Sequence, residues 1–146
     1  MAKTIEFKDE KAFKKWLVDK LEDMGYFVTP IQTRTVPGVP DLFVVGGPYD
    51  ILLWIECKII KQDFCAVCDI PYVQFKVPFR PGQQSRAYNY HKATGRRRTV
   101  ICLVAFKNGV YGFEQTKCWN DKLVPASEFK KLILNDNGTI IMEAVE

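Results

Sequence analysis

Two short apolar runs, Leu42–Val45 and Ile51–Ile55, are separated only by Gly46-Gly-Pro-Tyr-Asp50. Glycine, proline and aspartate in that order turn a chain back on itself, so the runs read as two arms of one hairpin. Each run is far shorter than the roughly 20 residues a membrane-spanning helix needs. Both arms are apolar on both faces, which predicts strands at the centre of a sheet covered on each side.

Charges stand where these arms open. Thr35-Val-Pro-Gly-Val-Pro40 cannot be helical and delivers the chain to Asp41 at the start of the first arm, while the second arm ends in Glu56-Cys57-Lys58. Folding the hairpin places Asp41 beside Glu56. Two carboxylates that close are mutually unfavourable unless a cation lies between them, and one or two carboxylates completed by water is what Mg²⁺ accepts. Residues two apart in a strand share a face, so Lys58 points into the same space as Glu56. An ammonium there can orient a metal-bound water and offset charge on a phosphate under attack. Cys57 faces the other way and leaves its backbone carbonyl as a further metal ligand. A bare Glu-X-Lys is most often just the polar end of a strand. Here it follows a fully apolar stretch, where stranded charges cost free energy unless they are paired or bind metal.

The flanking sequence reads as follows. From Glu10 to Met24, apolar Phe13, Trp16, Leu17, Leu21 and Met24 recur at three- and four-residue spacing and Gly25 follows, which predicts a helix. Tyr26–Val28 and Ile31–Thr33 form an extended edge segment broken by Pro30. Ile59–Phe79 is a long excursion with a short strand at Tyr72–Phe75. A second helix starts around Pro81 and runs to Gly95. Thr99–Phe106 is a buried strand, and Asn108-Gly109 turns it into Val110–Phe113. The tail is expected to hold a short helix near Ser127–Leu134 and a last strand at Thr139–Glu143.

The 146 residues suit one domain spanning 1–146, and 47% hydrophobic with 26% charged residues is globular composition. The net charge of +4 is weak evidence for an anionic partner. Its distribution says more. Lys92 and the run Arg96-Arg97-Arg98 make a dense local field suited to phosphates, and Arg80 is counted with them as a nucleic-acid contact. Five cysteines, an odd number, and no apolar leader fit a reducing cytoplasm. Cys65-Ala-Val-Cys68 is a single CxxC, and free thiols are favoured over a zinc site.

PGVPDLFVV, a glycine-containing turn and LLWIECK together resemble the PD-(D/E)XK nucleases, with Pro40-Asp41 and Glu56-Cys57-Lys58 as the two signature elements. The segment FRPGQQSRAYNYHKATG followed by TVICLVAF is similar to the helix and strand after the active site in the VRR-NUC and phage resolvase-like branches. The resemblance covers roughly residues 10 to 113. It implies an α/β fold of the restriction-endonuclease-like kind, a central mixed sheet flanked by helices. It also implies that Gln83, or in its place Gln84, opens the second helix at the rim of the site. An acid on the first helix would complete the metal shell: Glu10, or in reserve Glu22. The long excursion and the tail after Phe113 depart from the compact pattern.

The expectation is therefore a Mg²⁺-dependent endonuclease, Mn²⁺ substituting, that hydrolyses branched, flap or junction DNA. Asp41, Glu56, Glu10 and the Cys57 carbonyl hold metal, Lys58 and Gln83 assist, and Arg80, Lys92 and Arg96–Arg98 contact phosphates. A homodimer would supply paired cuts, and no membrane is involved. A sequence-specific restriction-type enzyme and a non-catalytic nucleic-acid-binding module stand as alternatives.

Overall fold

The structure is a computed structural model and describes residues 6–32, 36–64, 73–135 and 137–145. The Cys65–Cys68 pair, together with Thr33 and Tyr72 at the margins of two expected strands, lies outside the described residues.

Helix α1 runs Glu10–Asp23, and Asp9 caps it by accepting a hydrogen bond from the Ala12 N–H at 2.8 Å. Phe13, Leu17 and Leu21, one turn apart, are its buried stripe. Strand β1 (Tyr26–Pro30) leads to the hairpin β2 (Leu42–Gly46) and β3 (Ile51–Ile59). After β4 (Gln74–Lys76), helix α2 (Gln83–Ala93) crosses over to β5 (Val100–Phe106), which lies parallel to β3. Every other neighbour in the large sheet is antiparallel: β6 (Gly109–Glu114), β8 (Lys130–Leu134) and β9 (Ile140–Ala144) extend it to seven strands ordered β1-β2-β3-β5-β6-β8-β9. A small second sheet pairs β4 with β7 (Leu123–Pro125). The result is a mixed α/β fold in which the β3–β5 pair supplies the parallel step.

The sheet divides two cores. On one face Phe13, Leu17 and Leu21 pack against Leu42, Val44, Ile55, Cys57 and Leu103. On the other, Phe64, Phe75, Phe106, Tyr111, Phe113 and Phe129 form an aromatic cluster, with Phe64 and Tyr111 centroids 4.0 Å apart. Residues from the excursion after β3 and from the tail thus join in building one layer.

Several expectations need correction. Ser127–Leu134 is not a helix: a single 3₁₀ turn at Ala126–Glu128 is followed by strand β8. Pairing with β9, which brings Leu132 and Leu134 against Ile140 and Met142, outweighs a local spacing that suits either structure. Ile31 and Gln32 are not in a strand, β1 ending at Pro30. The short strand after the excursion is Gln74–Lys76, shifted toward the C-terminus. Helix α2 begins at Gln83, because Gly82 takes a left-handed conformation at its N-cap. Nor is the hairpin covered on both faces: Phe27 is 69% exposed and Leu52 38%.

The 36–40 segment leading to Asp41 is held against α2 by two glycines. Gly38 has φ +83°, and a Cβ there would lie 2.3 Å from the Gly82 carbonyl oxygen, a backbone atom that cannot swing aside. Gly38→Ala is expected to cost about 2 kcal/mol or more, lowering the thermal midpoint by roughly 5 °C or more in a calorimetric scan.

Candidate active site

β3 extends past the start of β2, so its last residues face a notch at the open end of the hairpin. Leu42 pairs with Ile55, and Asp41, one residue earlier, meets Glu56. The Cys57 N–H donates to Asp41 Oδ2 at 2.8 Å, fixing that carboxylate in place of the next ladder bond. In an antiparallel pair a residue's N–H and C=O lie on the same edge, so the Cys57 carbonyl also faces the notch.

The Asp41 and Glu56 carboxyls lie close enough to govern each other's ionisation. Burial, the hydrogen bond to Asp41 and the Asp41 charge push the Glu56 carboxyl up to about 9, against the pull of Lys58 and Arg80. Burial also opposes ionisation of Asp41, but the bonds from Glu56 and the Cys57 N–H, with Lys14 alongside, outweigh it and hold Asp41 below the usual carboxylate range. The pair thus shares one proton, carried on Glu56.

Lys58 is fully buried, its Nζ 3.9 Å from Glu56 Oε1 and 4.0 Å from Glu10 Oε1. Neither Glu56 Oε1 nor Lys58 Nζ has a hydrogen-bond partner among the described residues. Buried polar atoms left orphaned cost free energy unless something beyond the described residues completes them. Among the described residues no three His, Cys, Asp or Glu side chains are grouped closely enough to form a ready metal cage. What the notch offers is two carboxylates in contact, which fits an ion that keeps most of its water, as Mg²⁺ does.

Around this centre the structure brings together Glu10, Arg80 and a residue the sequence reading missed, Lys14. Arg80 Nη2 lies 3.3 Å from Glu10 Oε1 and 3.8 Å from Asp41 Oδ1, and Lys14 Nζ lies 3.3 Å from Asp41 Oδ1. Lys14 is one helical turn after Glu10, and that spacing was its only signal in the sequence. Arg80, expected among the phosphate contacts, sits at the acids and is 63% exposed there, so it can swing out.

The other expected residues are placed elsewhere. Gln83 is buried and its Oε1 accepts from the Arg80 N–H at 2.7 Å, so it fastens the turn into α2 and thereby positions Arg80. Gln84 accepts from the Trp119 N–H at 2.6 Å, away from the acids. Glu22, in the last turn of α1, is at the opposite end of the helix from Glu10. Arg96–Arg98 follow α2, Arg98 lying four positions upstream of Cys102, the register partner of Glu56. At about 3.3 Å per residue that is roughly 13 Å along the sheet, too far to touch a reacting phosphate but within reach of its neighbours. Lys92 sits over the Tyr88 ring at 5.1 Å.

No helix among the described residues is long and apolar enough to cross a membrane. Comparison with protein-family models, with curated proteins and with solved structures finds no match, so the argument for a function starts from this geometry.

Proposed function

We propose that the protein is a metal-dependent nuclease of the PD-(D/E)XK type that hydrolyses phosphodiester bonds in DNA, with branched, flap or junction DNA as its substrate. The observation that carries this reading is the juxtaposition of the Asp41 and Glu56 carboxyls beside a buried amine, with Glu56 Oε1 and Lys58 Nζ both lacking a hydrogen-bond partner among the described residues. A merely structural pair of acids would be satisfied by its neighbours.

Asp41 and Glu56 would hold Mg²⁺ or Mn²⁺, with the Cys57 carbonyl and Glu10 as further oxygen donors. Such an ion supplies Lewis-acid polarisation of a phosphate and a water of lowered pKa. The chain's own groups do the rest. The Cys57 N–H and the strand ladder keep Asp41 fixed, so the site is preorganised rather than assembled on binding. Glu56 would serve as a ligand in its ionised form, so its proton would pass to solvent on metal binding. Lys58, on the same face as Glu56, orients the attacking water and stabilises charge on the phosphate oxygens. Lys14 and Arg80 neutralise the acids in the absence of a cation, and Arg80 is free to transfer to a phosphate. The Arg96–Arg98 run and Lys92 steady the backbone farther along. A pair of subunits would give paired cuts.

The test is a panel of end-labelled single-stranded, duplex, flap and four-way DNA incubated with Mg²⁺ or with chelator. Cleavage of the branched members, dependent on Mg²⁺ and lost in Asp41→Ala, is expected. Binding without any cleavage in either Mg²⁺ or Mn²⁺ would leave a non-catalytic nucleic-acid-binding module instead.

A further inference from the structure

The sheet face that carries Glu56 is open where β1, β2 and β3 meet. Register places Phe43 opposite Trp54, Val45 opposite Leu52 and Phe27 opposite Val45. Alternation along β3 makes Trp54 and Glu56 successive side chains on that face, about 7 Å apart. Helix α1 packs on the reverse side, against Val44 and Ile55. The Phe43 and Trp54 rings are 4.6 Å apart and half-buried, and Phe27 at the outer end is 69% exposed. Single exposed apolar residues are ordinary, but a connected row ending at a pair of buried carboxylates is not.

From Trp54 the row continues into a cavity of about 780 Å³ between the 36–40 segment, α2 and the start of β5. Tyr90 and Pro37 extend its apolar wall, Arg86 and Asn89 supply polar atoms, and no acidic residue among the described residues lines it. One end is bounded by Pro40, which precedes Asp41, and the other by Ala93, just before the Arg96–Arg98 run. Aromatic faces interleaved with guanidinium groups and free of carboxylates complement a chain that alternates flat bases with phosphates. A paired duplex keeps its bases stacked on one another and cannot lay them on a sheet.

We infer that the Phe43–Trp54 face, from Phe27 to the Tyr90 cavity, binds an unpaired stretch of nucleic acid by base stacking. The next phosphate along that stretch is then set at Asp41 and Glu56. That last step rests on the proposed nuclease reading, whereas the binding does not. The unpaired arm of a branched substrate is the element this surface recognises, which distinguishes it from continuous duplex.

The experiment is fluorescence anisotropy of the full chain in chelator, with a labelled oligothymidine single strand and a duplex of equal length. Trp54→Leu keeps an apolar side chain but loses the ring, and Trp54→Phe restores one. Phe27→Ser alters an exposed position that the fold does not need. Single-strand affinity should fall roughly tenfold or more in Trp54→Leu, recover in Trp54→Phe and weaken in Phe27→Ser, while duplex affinity changes by less than about twofold. Equal losses on both ligands, or no loss in Trp54→Leu and Phe27→Ser, would overturn the inference. So would sedimentation showing a dimer that Phe27→Ser dissociates, which would give the face to a second copy of the chain. Repeating the series as cleavage in Mg²⁺ separates the two readings. Trp54-dependent binding without cleavage sinks the nuclease and keeps the platform, whereas cleavage with affinity indifferent to Trp54 and Phe27 does the reverse.

Discussion

Replacing Lys58 by methionine should lower the cleavage rate about 10²- to 10⁴-fold without lowering the thermal midpoint of the metal-free protein. The two halves of that expectation have one cause. Lys58 Nζ is buried and makes no hydrogen bond among the described residues, and its nearest carboxylates are 3.9 and 4.0 Å away, at the limit of an ion pair. A buried charge so weakly compensated contributes little to folding, and an apolar side chain of similar volume replaces it at small cost or with a gain. On the proposed reading its value is in the reaction, where an ammonium would stabilise charge that develops only on the way to products. Single-turnover cleavage and a thermal scan on the same preparation check both halves. A variant that cleaves within tenfold of the parent, or that melts well below it, would assign Lys58 a structural role.

Glu56→Gln is expected to make the metal-free protein more stable and inactive at once. The Glu56 carboxyl is raised from 4.5 to about 9, so between those values the folded protein holds a proton that the unfolded chain has released. Stability therefore falls as pH rises through that window, because each proton that folding must take up costs more as protons become scarcer. Glutamine keeps the hydrogen bond to Asp41 with an amide donor and removes the titration. The two proteins should be equally stable near pH 4, and by pH 8 the variant should lead by roughly 3–5 kcal/mol, measured by denaturant unfolding. A difference that does not change with pH would mean that Glu56 is already ionised in the native state. Cleavage by the variant should be undetectable at every pH, since a neutral amide is a poor ligand for a hard cation.

The centre of the site was legible because it depends on short-range rules. Side-chain parity along β3 puts Glu56 and Lys58 on one face, and the Gly46–Asp50 turn returns β3 beside Asp41. Helix α1 was legible for a similar reason, its stripe and glycine stop being local. What the sequence could not reveal depends on partners far along the chain. Lys14 and Arg80 reach Asp41 from two different parts of the chain, and beyond the one-turn spacing of Lys14 from Glu10 nothing local announces that meeting. Phe129, Leu132 and Leu134 suit a short helix as well as a strand, and the outcome was decided by the β6 edge and the hairpin with β9. The apolar hairpin implied cover on both sides. Cover came on one, because α2 packs over β5 and leaves Leu52 and Phe27 exposed and Phe43 half-buried.

This last difference bears on function. A nuclease core buried on every side would need inserted loops to grip its substrate, whereas an open aromatic face running up to the carboxylates provides a grip within the sheet itself. On the proposed reading, the same strand, β3, would present Trp54 to a base and Glu56 to the adjoining phosphate. Phe64, Phe75 and Phe129 stiffen the opposite half of the sheet, beneath Val104 and Phe106 of the strand that flanks the site.

Calorimetric titration of Mn²⁺ into the protein at pH 7, in two buffers of different ionisation enthalpy, tests the shared-proton site most directly. One ion per chain should bind with release of close to one proton, the affinity should climb with pH until about 9, and Glu56→Gln should bind no ion and release no proton. Binding that releases no proton, or that survives in Glu56→Gln undiminished, would show that the cation sits elsewhere and that Asp41 and Glu56 are not its ligands.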